Sequence, residues 1–153
     1  MVRSLSQIAL LLAAGIAPAQ TLSTGKLLVA TEKSHDPDLS KSVVLLIHFD
    51  KDSAIGLILN RPVKDMYFGG PVALGARCLF RSQVKPAGAK HVTRDVYVAT
   101  KPVPKGRVYA GYVGWSAAQL NDEVSRGLWQ VRDATSAVVF DANPATLWRR
   151  LLR

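Results

Sequence analysis

The stretch SVVLLIHFDKDSAIGLILN, residues 42–60, decides the fold. Its first part, residues 42–49, runs through five consecutive apolar side chains, which predicts a strand that is buried on both faces. The polar residues 50–53 predict a tight turn. Residues 54–60 then predict a second buried strand, in which Gly56 indicates a close approach of two backbones. Together the two segments predict a central hairpin.

The segments on either side of this hairpin predict more strands than helices. A helix is predicted from Ala117, because Ser116 and Gln119 have the spacing of a capping box and Gly127 supplies a left-handed stop. A second helix is predicted near the end of the chain, with Asn143 as its N-cap and Pro144 as its first residue. Further strands are predicted at residues 26–31, 76–82, 95–100, 107–113, 128–131 and 136–140.

The length and the composition are those of one folded domain. The chain has 153 residues, of which 48% are hydrophobic and 20% are charged, values typical of a globular protein with a single core. This element pattern predicts an α+β domain around a mixed or antiparallel sheet, with two or three short helices.

The chain is strongly basic. Twenty Lys and Arg residues stand against eleven Asp and Glu residues, a formal net charge of +9. Such a balance favours an anionic partner, for which nucleic acid, phospholipid headgroups and an acidic envelope polymer are all open. The alternative is a solvated basic surface without a dedicated partner. Seven of the cations fall between residues 81 and 107: Arg81, Lys85, Lys90, Arg94, Lys101, Lys105 and Arg107.

The first nineteen residues resemble a secretory signal peptide. A short basic lead that contains Arg3 precedes an uncharged apolar run, residues 8–16, and the small residues 17–19 follow it. We therefore expect a leader at residues 1–19, a mature domain at residues 20–153 in the periplasm or secreted, and no integral membrane span after cleavage. The alternatives are a buried N-terminal helix or a start assigned too far upstream, either of which would leave the protein in the cytoplasm.

Three segments in this order resemble the YqgE/AlgH family of small bacterial proteins. They lie at residues 25–62, at FGGPV (residues 68–72) and at GYVGWSAAQLNDEVSRGLW (residues 111–129), and the closing VVFDANPATLWRRLL (residues 138–152) is similar as well. The resemblance implies a compact α+β fold with a bifurcated sheet curled into a pseudo-barrel. It implies little biochemistry beyond the label of transcriptional regulator, for which the sequence contains no recognised DNA-binding motif.

The chain departs from the family pattern in three places. It carries the leader, and the family's longer insertion is reduced here to residues 63–67. The loop after the tryptophan, residues 116–121, reads SAAQLN in place of a glycine-containing sequence. A function that depends on the insertion or on those glycines is therefore not expected to carry over.

No motif of an enzyme or a metal site is present in the sequence. The three histidines are scattered, and the single cysteine, Cys78, has the apolar neighbours of a core residue. Asp50 and Asp52 form a carboxylate pair, but at a hairpin tip such residues usually bond the turn. We therefore predict a protein without catalytic activity, cofactor or metal.

The sequence predicts a non-enzymatic binding or regulatory module that acts through an anionic partner. The alternatives are a cytoplasmic regulator that contacts nucleic acid and an unrecognised hydrolase. Asn60 and Arg61 offer directional hydrogen bonds, although they could instead tie down neighbouring loops. With the glycines and aromatic residues expected at one end of the sheet they form the candidate ligand set: Asn60, Arg61, Gly69, Gly70, Gly111, Tyr112, Gly114, Trp115 and Gln119. The seven cations of residues 81–107 form the candidate anion set.

Overall fold

A computed structural model describes residues 21–152, so the predicted leader at residues 1–19 lies outside the described residues. Ten strands are present in this part of the chain: β1 (Lys26–Ala30), β2 (Val43–Phe49), β3 (Ser53–Ile58), β4 (Pro62–Val63), β5 (Met66–Phe68), β6 (Val72–Arg81), β7 (Lys90–Thr93), β8 (Val96–Ala99), β9 (Arg107–Ser116) and β10 (Trp129–Asp133). The helices are α1 (Ala117–Ser125), α2 (Ser136–Val139), a 3₁₀ turn (Pro144–Thr146) and α3 (Leu147–Leu151). Within residues 21–152, no helix has both the length and the apolarity that crossing a bilayer requires.

The sheet is bifurcated at β9. The strand order is β10-β1-β2-β3-β9-β6-β8-β7. The C-terminal half of β9 pairs with β3, and its N-terminal half pairs with β6. All of these pairs are antiparallel, whereas the short β5 lies parallel to β9. Because β7 returns to contact β2, the sheet curls into a half-barrel, and the predicted α+β fold with a curled, bifurcated sheet is confirmed.

The central hairpin is buried on both faces, as its sequence predicts. Side chains alternate along β2, so Leu45 and Leu46 point to opposite sides of the sheet, and each is fully buried. The pairing register of β2 with β3 shifts at a bulge between Leu46 and His48. A Cβ atom on Gly56 would overlap the Val44 side chain, which is the close approach that the glycine indicates.

Two hydrophobic cores lie on the two faces of the sheet. The barrel core fills the inside of the half-barrel and includes Leu45, Leu79, Tyr109, Val139 and Leu147. The helix core lies on the other face under α1 and includes Leu46, Ile58, Trp115, Leu120 and Trp129.

The helix α1 forms as its end signals predict. The Ser116 hydroxyl accepts a hydrogen bond from the Gln119 backbone N–H at 3.1 Å, which caps the first turn. Gly127, with φ of +78°, ends the helical segment in the left-handed region. Leu120 is fully buried in the helix core, so the helix predicted from Ala117 is confirmed and packs on the sheet.

The prediction of a strand at residues 136–140 is wrong, because most of this segment is the helix α2. The β-branched run favours a strand locally, but the Thr135 hydroxyl accepts from the Val138 N–H at 3.3 Å and initiates a helical turn. That turn buries Val139 in the barrel core. The last helix also differs from its prediction: Asn143 makes no side-chain cap bond, and a 3₁₀ turn precedes α3.

Candidate functional site

Two polar residues of the candidate ligand set bond the chain's own backbone. The Asn60 side chain accepts from the Val43 N–H and donates to the Lys41 carbonyl, both at 2.9 Å. Arg61 donates to the Asp38 carbonyl and, at 3.0 Å, to the Ser40 carbonyl. In this structure both side chains therefore hold the connection between β1 and β2 against the end of β3. Of the two roles considered for Asn60 and Arg61, ligand binding or tying down loops, this is the second.

The glycines of the candidate ligand set pack against one another. The Gly69 N–H donates to the Ala110 carbonyl at 2.7 Å, where β5 meets β9. Gly111 has φ of +74°, and a Cβ atom there would overlap the Gly70 carbonyl oxygen. A Cβ atom on Gly69 would likewise overlap the Gly111 carbonyl oxygen. The absence of side chains here permits two backbones to cross in close contact.

Three further members of the candidate ligand set line a cleft. Gly114, Trp115 and Gln119 border a cavity of about 480 Å³ between α1 and residues 33–39. Tyr112 does not line it. The nine residues of the set are thus distributed over different parts of the structure and do not converge on one cavity.

At the base of this cleft, Glu123 joins two tryptophans. Its Oε1 atom accepts from the indole N–H of Trp115 at 3.3 Å and from that of Trp129 at 3.0 Å. The two rings meet edge to face, with centroids 6.0 Å apart. Both tryptophans belong to the helix core, so Glu123 satisfies donors that would otherwise lie in an apolar environment.

The arginines of the candidate anion set are engaged in contacts within the protein. Arg81 pairs with Asp95 at 3.0 Å, and this guanidinium holds the pKa of the Asp95 carboxyl below its usual value. Arg94 donates to the Ala134 carbonyl at 3.3 Å. Arg107 donates to the carbonyls of Phe140 at 3.2 Å and Asp141 at 2.8 Å. Arg81 therefore joins two segments of the sheet, whereas Arg94 and Arg107 bond residues near the C-terminal end.

The guanidinium of Arg107 also contacts aromatic rings in the barrel core. It lies 5.2 Å from the ring centroid of Tyr67 and 5.8 Å from that of Phe140. Tyr67 stacks in turn on Tyr109, whose hydroxyl is fully buried, and this burial raises the pKa of Tyr109. Arg107 is consequently a structural anchor with little freedom to meet an external anion.

Four lysines remain in the candidate anion set. Lys85, Lys101 and Lys105 are exposed on loops. Lys90 differs from them, because it lies at the start of β7 and lines a cavity of about 460 Å³ where the half-barrel closes. We call this cavity the seam pocket. Its lining residues are Ile47, His48, Ile55, Arg77, Gly88, Ala89, Lys90, Val98, Ala99 and Thr100.

A chain of hydrogen bonds runs along one side of the seam pocket. Lys90 Nζ lies 3.0 Å from His48 Nδ1, and His48 Nε2 lies 2.9 Å from Asp50 Oδ2. An ammonium can only donate, so His48 accepts at Nδ1 and donates from Nε2 to the carboxylate. The backbone N–H groups of Asp52 and Ser53 also donate to Asp50. These two bonds, with His48 next, lower the pKa of Asp50 to about 2.

The seam pocket has an excess of positive charge. Among residues 21–152, neither Arg77 nor Lys90 has a carboxylate within ion-pair distance, whereas Arg81, Arg126 and Arg150 each have one. The Arg77 guanidinium lies over a tyrosine ring, 5.4 Å from the centroid of Tyr112. Arg77 and Lys90 thus line a pocket whose lining residues include no carboxylate, and Asp50 is linked to Lys90 through His48.

Sequence reasoning identified Lys90 but missed Arg77 and His48 as its neighbours. The signal for Arg77 is its position two residues before the buried Leu79 on β6, which places both side chains on the same face. His48 is the first polar residue after the buried run of β2. What joins them is the return of β7 to β2, which depends on the whole sheet topology.

The titratable side chains form no metal site in the part of the chain that the structure describes. No group of three or more His, Cys, Asp or Glu residues converges there. Cys78 is 1% exposed and lies in the sheet opposite Ala99 and Val108, so the prediction that it is a core residue is confirmed.

Comparison with known proteins identifies relatives over nearly the whole domain. The profile of a family described as AlgH-like matches residues 27–153. A protein of Thermobifida fusca named UPF0301 is 35% identical over 169 residues, with 85% of each chain covered. A UPF0301 protein of Streptomyces avermitilis is 31% identical over 164 residues, again with 85% of each chain covered.

Solved structures share the fold. A crystal structure of a Corynebacterium diphtheriae protein superimposes with a TM-score of 0.77 at 19% identity, covering 90% of this chain and 89% of that one. The solution structure of the AlgH protein from Pseudomonas aeruginosa gives a TM-score of 0.68 at 22% identity, with 84% and 87% covered. At these identities the likeness concerns the fold alone.

Proposed function

The chain belongs to the AlgH-like family, and from that premise we propose that it is a non-enzymatic binding module that takes an anionic partner at the seam pocket. The names of the relatives cited above specify no reaction. The proposal therefore rests on the chemistry of this chain's own residues.

The observation that carries the proposal is the pair of cations in the seam pocket. Arg77 and Lys90 line the pocket beside the apolar side chains of Ile47, Ile55 and Val98. An apolar lining lowers the local dielectric constant, so an anion that enters is attracted more strongly than it would be on an open surface. The other arginines near this region are already bound to carboxylates or carbonyls.

Calorimetric titration of the purified protein tests this proposal. The probes are inorganic phosphate, octanoate, heparin and duplex DNA, each at low and at moderate salt. At least one anion is expected to bind and to lose tenfold or more in affinity in the double variant Arg77→Gln/Lys90→Gln. The matched control, Lys101→Gln/Lys105→Gln, removes the same charge from exposed lysines and is expected to bind as the wild type does.

Two results would contradict the proposal. One is that none of the four anions binds. The other is an equal loss of affinity in both double variants, which would mean that net charge alone attracts the anion and the seam pocket has no special role.

The nucleic-acid alternative has less support from the side chains of residues 81–107. Arg81, Arg94 and Arg107 are held by internal partners, which leaves the four lysines of this stretch to contact phosphates. Tight binding of duplex DNA with a steep salt dependence, unaffected by Arg77→Gln/Lys90→Gln, would favour that alternative.

The hydrolase alternative lacks a nucleophile at the Asp50–His48 pair. In a hydrolytic triad the second histidine nitrogen faces a serine or cysteine, whereas His48 Nδ1 faces Lys90. Turnover of an ester or amide substrate that His48→Gln abolishes would contradict the non-enzymatic proposal.

A further inference from the structure

We infer that the anion of the seam pocket is a small amphipathic molecule, with one carboxylate or phosphate group attached to an apolar body. This inference rests on the proposed function, because it names the class of ligand that the same pocket takes. Its grounds are the size of the pocket, the placement of its cations and the nature of the remaining lining.

The size of the pocket suits a small organic ligand. Its volume of about 460 Å³ falls within the range of roughly 300 to 1,000 Å³ that small-molecule sites occupy. A polyanion is normally bound by a row of cations along an open surface, and here two cations share one cavity.

Most of the lining is apolar. Ile47 and Val98 are nearly buried, Ile55 is half-buried, and Ala99 continues the same surface. A phosphate or sugar–phosphate chain against this surface would lose hydration without gaining hydrogen bonds. An alkyl or aryl group would instead be removed from water, and each buried methylene would raise the affinity roughly fourfold.

Arg77 and Lys90 can each donate hydrogen bonds to an anionic group. The guanidinium of Arg77 presents paired N–H donors that match two oxygens of a carboxylate or phosphate. Lys90 has three ammonium protons, so it can keep its hydrogen bond to His48 and still donate to the ligand. His48 thereby orients the ammonium, and Asp50 orients His48.

Two of the residues that line the pocket are small. Gly88 and Ala89 lie on the loop between β6 and β7, and a Cβ atom added to Gly88 would meet no other atom within 4 Å. These two residues therefore place no long side chain in the cavity.

A chain-length series of carboxylates tests the inference at constant pH and salt. Butanoate, hexanoate and octanoate are titrated by calorimetry below their aggregation limits, with octyl phosphate to separate the two headgroups. Inorganic phosphate supplies the headgroup alone, and octan-1-ol supplies the body alone. Affinity is expected to rise with each methylene until the cavity is filled, and both isolated parts are expected to bind at least tenfold more weakly than octanoate.

One variant and its matched control test the contact with the apolar body of the ligand. Ile55→Thr keeps a β-branched side chain on β3 but adds a hydroxyl to the lining, so it is expected to reduce the gain per methylene. The matched control Val84→Thr makes the same kind of change at a site that is 73% exposed and is expected to change nothing. Chemical shifts of the wild type locate the ligand without any substitution, and the largest changes are expected at His48, Val98 and Ala99.

The outcomes distinguish this inference from the proposed function. If octanoate binds no better than butanoate, or if only heparin or DNA binds through Arg77 and Lys90, the ligand is not amphipathic but the anion site stands. If octan-1-ol binds as tightly as octanoate, the anionic group is not required and the inference is wrong. If no anion binds at all, both fail.

Discussion

The helix core and the barrel core share the strands β1 and β2, but different kinds of segment close them. The helix core is covered by α1, one regular helix of nine residues with Leu120 turned inward. The barrel core is closed at one end by residues 134–152, which form two short helices and a 3₁₀ turn. Side chains from distant strands hold this second closure in place.

The difference lies in where each closure obtains its stability. The cap of α1, Ser116, is its immediate neighbour in sequence. The C-terminal closure depends on Arg94 and Arg107, which donate to the carbonyls of Ala134 and Asp141 from 40 and 34 residues away. The first closure is encoded locally, and the second exists only once the sheet has formed.

The largest effect is expected from shortening side chains of β2, a strand that contributes to both cores. Leu45→Ala removes volume from the barrel core and Leu46→Ala from the helix core; both leucines are fully buried. Each is expected to lower the free energy of unfolding by about 2 to 5 kcal/mol, since the cavity cannot collapse completely. Urea denaturation measures both values. A loss below 1 kcal/mol for one of them would mean that its core is loosely packed and that the two faces are not equivalent.

The next effect concerns the helix core. Glu123→Leu leaves the indole N–H groups of Trp115 and Trp129 without their acceptor, and we expect a loss of about 3 kcal/mol. Glu123→Gln keeps an acceptor oxygen and is the matched control, with a loss of about 1 kcal/mol. Denaturation followed by tryptophan fluorescence checks both. Equal losses would show that charge, and not the acceptor, is what the two tryptophans need.

The barrel closure is expected to respond to Arg107→Met. The substitution removes hydrogen bonds to the Phe140 and Asp141 carbonyls while keeping an apolar side chain beside Tyr67, and about 2 kcal/mol should be lost. Hydrogen exchange should show residues 134–152 opening more often, with α1 unchanged.

Lys105→Met, on an exposed loop, removes the same charge and should leave exchange unaltered. If α1 opens together with residues 134–152 in the Arg107→Met variant, the two closures are one cooperative unit and the distinction between them is wrong.

This contrast explains what the sequence could predict. The capping residue Ser116 and the stop Gly127 lie within α1's own neighbourhood, so the helix was predictable from local signals. The helix at Ser136–Val139 has a local signal only in its cap, Thr135, because its β-branched residues favour a strand. The segment is also held by Arg107 of β9, which is distant in sequence. Local propensity was overridden by packing.

The same reasoning applies to the candidate site. The basic stretch predicts Lys90 as an anion-binding residue, but it predicts Arg81, Arg94 and Arg107 equally. In the structure these three arginines bond other residues of the protein. Net charge does not reveal which cations have partners. The seam pocket arises where β7 returns to β2. His48 and Lys90, which meet there, are 42 residues apart in sequence, so no local pattern encodes their contact.

The smallest effect, and the one that separates the closures without a mutation in either core, is their response to acid. Arg150 donates two hydrogen bonds to Asp141, at 2.6 and 3.1 Å, and thereby holds the pKa of this carboxyl below its ordinary value of 3.8. Arg81 lowers the pKa of Asp95, with a further contribution from Ser136 of α2. Both carboxylates support the barrel closure.

A carboxyl whose pKa is lower in the folded chain stabilises the fold above its unfolded pKa, and this contribution is lost as the pH falls through the folded value. Between pH 5 and 2.5, residues 134–152 should therefore lose protection from hydrogen exchange before α1 does. In Asp141→Asn the same residues should be less protected at pH 5 and should respond less to acid. If α1 opened first, or if Asp141→Asn kept the full acid response, the barrel closure would not depend on the Arg150–Asp141 pair, and the two closures would differ in their secondary structure alone.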